Sequence, residues 1–162
     1  MTTTAPLTSE ELLAWRTFLR AHATVTRRLE AELVAGHDLA LASYDVLVQL
    51  SEAPGRALRM TDLAERVLLS RSGLTRLVDR LERDGLVRRE ACPSDARGTL
   101  AVLTDAGLAR LRDAWPTHLR GVAEHVTGRL DADEVAQLAV LLGKLVDGPE
   151  ETPPADACGG AR

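Results

Sequence analysis

Five side chains with strong hydrogen-bonding ends crowd into ten residues near the middle of this chain: Arg71, Ser72, Thr75, Arg76 and Arg80. At helical spacing they share one face, and Leu74, Leu77, Val78 and Leu81 share the opposite one. Guanidinium forks donate in pairs, hydroxyls donate and accept, and the start of a helix adds unpaired backbone N–H groups. That set suits non-covalent recognition of phosphates and of base edges in a major groove. Ser70, just before the run, is the type of residue that caps such a helix. A solvated charged helix face would read the same way in isolation, so the surroundings must decide.

The elements that would position this helix are legible on both sides. Upstream, Thr61 is expected to cap a short helix with Leu63, Ala64 and Val67 facing inward, and Leu68-Leu69 makes a tight connection. Two helices so joined form a helix-turn-helix. Gly85 is expected to stop the second helix. Downstream, residues 86–92 and 99–103 are short β-prone runs around Pro93-Ser94-Asp95-Ala96-Arg97-Gly98, which predicts a hairpin. Arg97 would sit at its tip, where an Arg can enter a narrow, electronegative minor groove. Asp95 repels phosphate, so its use would be intramolecular, fixing the direction of the Arg97 guanidinium. The plainer reading of that pair is a turn with a surface ion pair of little worth.

The rest of the chain reads as helices. Thr8 and Glu11 form a capping box before a helix over 9–34, with Leu12, Trp15, Leu19, Leu29 and Leu33 at helical spacing. Gly36-His37-Asp38 would end it, and a short helix over 42–52 stops at Pro54-Gly55. A helix over 105–128 carries Leu108, Leu111, Trp115, Leu119, Val122 and Val126, with Pro116 expected to kink it. A last helix over 132–146 starts at the Asp131/Glu134 capping box. The predicted fold is mainly α with a small β-hairpin wing, a winged helix-turn-helix plus helices whose apolar stripes are either internal core or, on the sharper reading, a helical dimerisation region. One domain over 9–147 would hold a reading unit at about 40–104, best marked between Leu58 and Thr104, and helices at 9–34 and 105–146. Residues 1–8 would be a flexible N-terminus. Residues 148–162, rich in Gly, Pro and small polar types, would be a disordered tail.

Charge is distributed to match. The chain is net −4 overall, yet residues 66–97 hold 8 Arg against 5 acids while both flanks are acidic. DNA would therefore meet one local face. Lys144 is the sole lysine, so the Arg bias can equally follow genome composition. No apolar run is long enough to span a bilayer and no basic-then-apolar leader is seen, so a cytoplasmic protein without membrane contact is expected. His22, His37, His118 and His125 lack metalloprotease spacing, and no phosphate-binding Gly loop or nucleophile elbow is present. Neither an enzyme, nor a cofactor, nor a metal site is expected. Cys92 and Cys158 suit no metal site and no required disulfide.

The run Leu63-Ala64, Ser70, Thr75, Val78, Leu81-Glu82, Gly85-Leu86-Val87, Arg89, Asp95-x-Arg97 and Leu103-Thr104-x-x-Gly107 resembles the MarR (multiple antibiotic resistance regulator) family over about residues 9–146. The Asp-x-Arg wing followed by Leu-Thr-x-x-Gly is specific to it. Two positions depart: Ala40, where relatives often carry Ser or Thr as a cap, and Ala96, where many carry a second basic wing residue. The first should cost about 1 kcal/mol. The resemblance implies a transcription regulator acting as a homodimer on double-stranded DNA. Paired recognition helices would enter grooves about 34 Å apart on a pseudo-palindrome. It places Arg71, Ser72, Thr75 and Arg76 at base-reading positions, Ser70, Arg80 and Arg88 near phosphates, and Arg97 in the minor groove with Asp95 as its support.

The resemblance also implies a repressor released by a small effector, aromatic or phenolic, between the helices. Trp15, Arg16 and Leu19 would line that site, with His22, Tyr44 and His118 as further candidates and Arg16 holding a carboxylate. Plain interface packing is the competing reading of Trp15. Two alternatives to ligand control of DNA binding stand beside it: a redox response through Cys92, which precedes the wing, and a winged-helix module that binds protein. The outward Arg cluster argues against the second.

Overall fold

The computed structural model describes residues 6–67, 69–92 and 95–146, with the backbone alone for 95–97. The predicted tail at 148–162 and most of the predicted flexible N-terminus lie outside the described residues. Helix α1 (Ser9–His37) opens on the predicted capping box: Thr8 Oγ1 accepts the Glu11 N–H and Glu11 Oε2 accepts the Thr8 N–H. It runs past Gly36. The stop is Asp38, in the left-handed region at φ 46°, whose N–H reaches the Val34 carbonyl. Helix α2 (Leu41–Glu52) follows, and a single 3-10 turn at Pro54–Arg56 leads into β1 (Ala57–Arg59). Then come α3 (Met60–Arg66), α4 (Arg71–Arg83), β2 (Val87–Cys92), β3 (Asp95–Leu103), α5 (Asp105–His125), a 3-10 turn at Thr127–Arg129, and α6 (Ala132–Gly143).

Strand β1 was not foreseen. It is only three residues long, and it exists because β3 lies beside it: Ala57 faces Val102 and Arg59 faces Leu100. The sheet order is β1-β3-β2, all antiparallel, with Val87 opposite Leu103 and Ala91 opposite Thr99. The second strand of the wing thus begins earlier than its sequence suggested, since β3 already includes Asp95–Gly98, and the Arg97 backbone lies in that strand and not in the turn. This strand also corrects the start of α3. Arg59, still extended as the end of β1, is the N-cap and makes no side-chain cap bond, while Thr61 Oγ1 donates to Asp62 Oδ1 instead of capping. The predicted ends of α5 and α6 shorten as well, to His125 and Gly143, and α5 continues through Pro116.

Ala40 is a cap without a side-chain bond, as its type dictates, but α2 is not left uncapped. Glu30 of α1 reaches across and accepts the Leu41 N–H at 2.5 Å. A carboxylate at a helix start also meets the positive end of the helix dipole. The cap that the residue before α2 lacks is therefore supplied by another helix.

The core is aliphatic. Leu33, Val46, Leu47, Leu50, Leu63, Leu74, Val78, Leu81 and Val87 are buried, drawn from α1, α2, α3, α4 and β2, with Tyr44 the one aromatic ring among them. Helix α5 packs Leu111 and Ala114 against it. Its root is fixed by a compact polar seam. Thr104 donates its backbone N–H to the Leu86 carbonyl, its hydroxyl lies 2.7 Å from the Gly85 carbonyl, and that same oxygen accepts the Gly107 N–H. Gly107 is close enough to Leu86 that an added Cβ would stand 2.1 Å from the Leu86 carbonyl oxygen. Further along, His37 bonds Asp113 and Thr117, and Arg110 donates to the His37 carbonyl, tying α1 to α5. Tyr44 and His118 pack ring on ring at 4.4 Å.

Two outcomes follow from this packing. Gly107→Ala should destabilise the chain by about 1–3 kcal/mol through overpacking against backbone. In a thermal melt the midpoint should drop by roughly 2–4 °C per kcal/mol, and an unchanged midpoint would show that the seam yields. Burial holds the His118 imidazole below its ordinary value of 6.5. The fold therefore favours neutral His118, and protonation favours the unfolded chain. This contribution is complete above about pH 6.5 and is lost as pH falls through the folded value. His118→Phe keeps a ring against Tyr44 and removes the titration. Urea unfolding should show it losing less stability than the parent between about pH 7 and about pH 5, and equal losses would refute the assignment.

Candidate nucleic-acid interface

Helix α4 is the strongest amphipathic element of the chain, and its two faces separate as the sequence implied. Leu74, Leu77, Val78 and Leu81 are buried; Arg71, Ser72, Thr75, Arg76 and Arg80 are all exposed. Ser70 is its N-cap, with Oγ accepting the Gly73 N–H at 3.1 Å and lying 3.3 Å from Ser72 Oγ. Its hydroxyl is thus engaged in building the helix start. The connection from α3 is pinned by the Leu69 N–H donating to the Ala64 carbonyl. Thr75 Oγ1 donates to the Arg71 carbonyl one turn back, so its proton is turned inward and its lone pairs and methyl group outward.

Arg89, on β2, anchors the wing to this helix. It donates to Asp79 and Glu82 at 2.7 and 2.5 Å, and to the Thr75 carbonyl, while its own N–H donates to Glu82 Oε1. Partial burial works against the charged form. The two carboxylates outweigh it and raise the guanidinium pKa above its ordinary value. The fixed geometry of this fork is what Lys cannot reproduce. It also pairs with two of the three carboxylates that follow Arg76 on α4 and at its end, and with Arg71, Arg76, Arg80 and Arg83 on the same helix the region stays net basic. Arg88 is exposed and paired with Glu90 on the same strand. Asp95 and Arg97 have their backbone in β3, and their side chains lie outside the described residues.

Sequence reasoning gave Arg89 only as part of a motif, because nothing in its spacing shows that it faces α4 across the hairpin. It also missed a cavity of about 440 Å³ between α3, α4 and β3, lined by Arg59, Met60, Thr61, Thr75, Arg89 and Thr99. Part of its wall, Arg59, belongs to β1, the strand that the sequence pattern did not show.

The six effector candidates divide between two places. Trp15 and His22 line an apolar groove of about 710 Å³ between α1 and α6, with Phe18, Leu138, Leu141 and Leu142. Trp15 stacks on Phe18 with ring centroids 6.2 Å apart. Tyr44 and His118 lie together between α2 and α5 and do not line that groove. Arg16 and Leu19 are exposed on α1 outside its wall. Cys92 is buried at the end of β2, an environment that suits packing more than thiol reactivity.

Comparisons with known proteins agree with this architecture. Residues 37–98 match the model of the MarR family. The chain is 32% identical over 119 residues to the multiple antibiotic resistance protein MarR of Escherichia coli K12, covering 74% of this chain and 81% of that protein. It is 31% identical over 113 residues to the transcriptional repressor YetL of Bacillus subtilis, covering 70% and 67% respectively. Among solved structures it superposes on Sco3205, a MarR family transcriptional regulator from Streptomyces coelicolor in complex with DNA, with a TM-score of 0.84 at 38% identity. That superposition covers 91% of this chain and 94% of the other. With its winged helix-turn-helix and an outward basic face on α4, the chain belongs to the MarR family of DNA-binding transcriptional regulators, which are transcription factors and not enzymes.

Proposed function

We propose that two copies of this chain form a dimer that binds a pseudo-palindromic operator and represses, with a small apolar-bodied effector relieving repression. The observation that carries the dimer is α6. It is apolar, with Val140, Leu141 and Leu142 exposed and none of its side chains fully buried, and Leu145 just after it is exposed too. Across the groove, Trp15 and Phe18 are exposed too. A surface of this kind on a water-soluble regulator calls for a second protein surface. A second copy covers it symmetrically and presents two α4 helices to successive major grooves about 34 Å apart. The repressor reading draws support from YetL, which is named as one.

In this reading Arg71, Ser72, Thr75 and Arg76 read bases. Ser70, Arg80 and Arg88 approach phosphates, and Arg97, supported by Asp95, enters the minor groove. The effector acts by preferring the spacing of the two heads that does not fit DNA, since equal affinity for both arrangements shifts nothing. Trp15 and His22 in the α1–α6 groove, with Arg16 and Leu19 beside it, or Tyr44 and His118 between α2 and α5, are the groups that would hold it.

Fluorescence anisotropy with DNA flanking the chain's own gene tests the DNA reading. Binding should require a palindrome and weaken steeply with salt. Arg76→Ala should lose about 1–3 kcal/mol and relax base preference, whereas Arg97→Ala should weaken all sequences alike. Binding indifferent to the palindrome would reject the reading. For the dimer, Leu141→Glu alters a side chain that the single chain leaves exposed, so folding should persist. Light scattering should then report a monomer with operator affinity reduced at least about tenfold, a loss of roughly 1.4 kcal/mol. A Leu141→Glu dimer with full affinity would place the interface elsewhere.

A further inference from the structure

Helix α1 carries a second stripe that neither the core nor the DNA face uses. Thr17, Arg20, Thr24 and Arg28 follow one another at helical spacing and form one wall of a groove of about 460 Å³. His125 and Arg129, at the end of α5 and in the turn after it, form the other wall. The volume is that of a small-molecule site. Among the described residues, no carboxylate lies within ion-pair distance of Arg20, Arg28 or Arg129. Arg129 donates its Nε to the Glu124 carbonyl, which fixes the stem of the side chain without neutralising it.

The carboxylate at ion-pair spacing from Arg28 is engaged elsewhere in the fold. Glu32 follows Arg28 by four residues on α1, the spacing of a helical ion pair. Here it is held instead by His125, whose Nε2 lies 2.5 Å from Glu32 Oε1. Gly121 makes the room: a Cβ there would stand 2.5 Å from Glu32 Oε2. The His125 ring is 7% exposed, and its Nδ1 is buried without a hydrogen-bond partner among the described residues. Three guanidinium groups gathered in one concavity, in a chain that is net −4, are mutually repulsive unless an anion joins them.

We propose that this groove between α1 and the end of α5 binds a small polyanion bearing two or more carboxylate or phosphate groups, with Arg20, Arg28 and Arg129 as its ligands and Thr17 and Thr24 as hydroxyl partners. The site is not part of the DNA face. Helix α5 is rooted beside the winged unit at Thr104, and its 21 residues extend about 30 Å before the groove is reached. Thr17 and Ala21 also belong to the wall of the apolar α1–α6 groove, so the anion sits next to the surface assigned above to the second copy. The site itself does not depend on that assignment.

Isothermal titration of the full chain with citrate and with pyrophosphate, each at constant ionic strength against chloride, tests the site and separates carboxylate from phosphate chemistry. At least one should bind saturably at one site per chain. Arg20→Gln and Arg129→Gln should each weaken that binding at least about tenfold, and Arg20→Lys, which keeps the charge but not the fork, should fall between. Arg112→Gln, an exposed charge on α5 outside the groove, should bind as the parent does. Circular dichroism melts would confirm that every variant is folded, as expected for exposed side chains. Three results would overturn the proposal: no saturable binding of either anion, equal affinity in the parent and the Gln variants, or Gln variants that dissociate into monomers while the parent binds no anion, which would make the groove a seat for the second copy's carboxylates.

Discussion

One carbonyl, that of Leu86, organises the joint on which the molecule depends. The Thr104 N–H reaches it, the Thr104 hydroxyl lies beside it, and Gly107 presses against it with no side chain between. Through this joint the winged unit and α5 become a single piece. The Leu-Thr-x-x-Gly pattern acquires a physical meaning here. Leu103 is buried under the sheet, Thr104 caps α5 and ties it to the end of α4, and Gly107 is the one residue that lets the helix come this close. If the joint were looser, the position of α5 would say little about the direction in which α4 points.

Helix α4 is built by the same economy of means. Its start is closed by Ser70, its inner face by four aliphatic side chains, and its relation to the wing by Arg89. The Arg89 fork does two things at once. It fixes β2 against α4, and it occupies the carboxylates of Asp79 and Glu82 that would otherwise oppose a polyanion. Among the described residues, the outward side chains of Arg71, Arg76 and Arg80 take no part in these contacts.

Much of this was legible in the sequence where information is local. The α4 pattern, the Ser70 cap, the capping boxes of α1 and α6 and the hairpin each depend on residues within a few positions of one another. What escaped depends on residues brought together from afar. Ala57–Arg59 has no alternation of its own and is a strand only because β3 passes alongside. The Ala40 position looks uncapped until Glu30 arrives from another helix. Helical periodicity marked Trp15 and Leu19 as inward on α1, yet both are exposed, because an apolar stripe does not say whether its partner is in the same chain. Tyr44 and His118, paired with Trp15 as one candidate site, fall into a separate contact for the same reason: distance along the chain carries no record of which helices cross.

Helix α6 has the opposite relation to its surroundings from α4. Within the chain it only half-buries Val135 and Leu138, so folding places little demand on its outward side chains. Substitutions along it alter what the surface will accept as a neighbour while leaving the fold of the single chain intact. Selectivity between related partners rests on such differences in affinity. If the dimer proposed above forms through α6, two related chains could come to refuse each other there while their winged units keep one design.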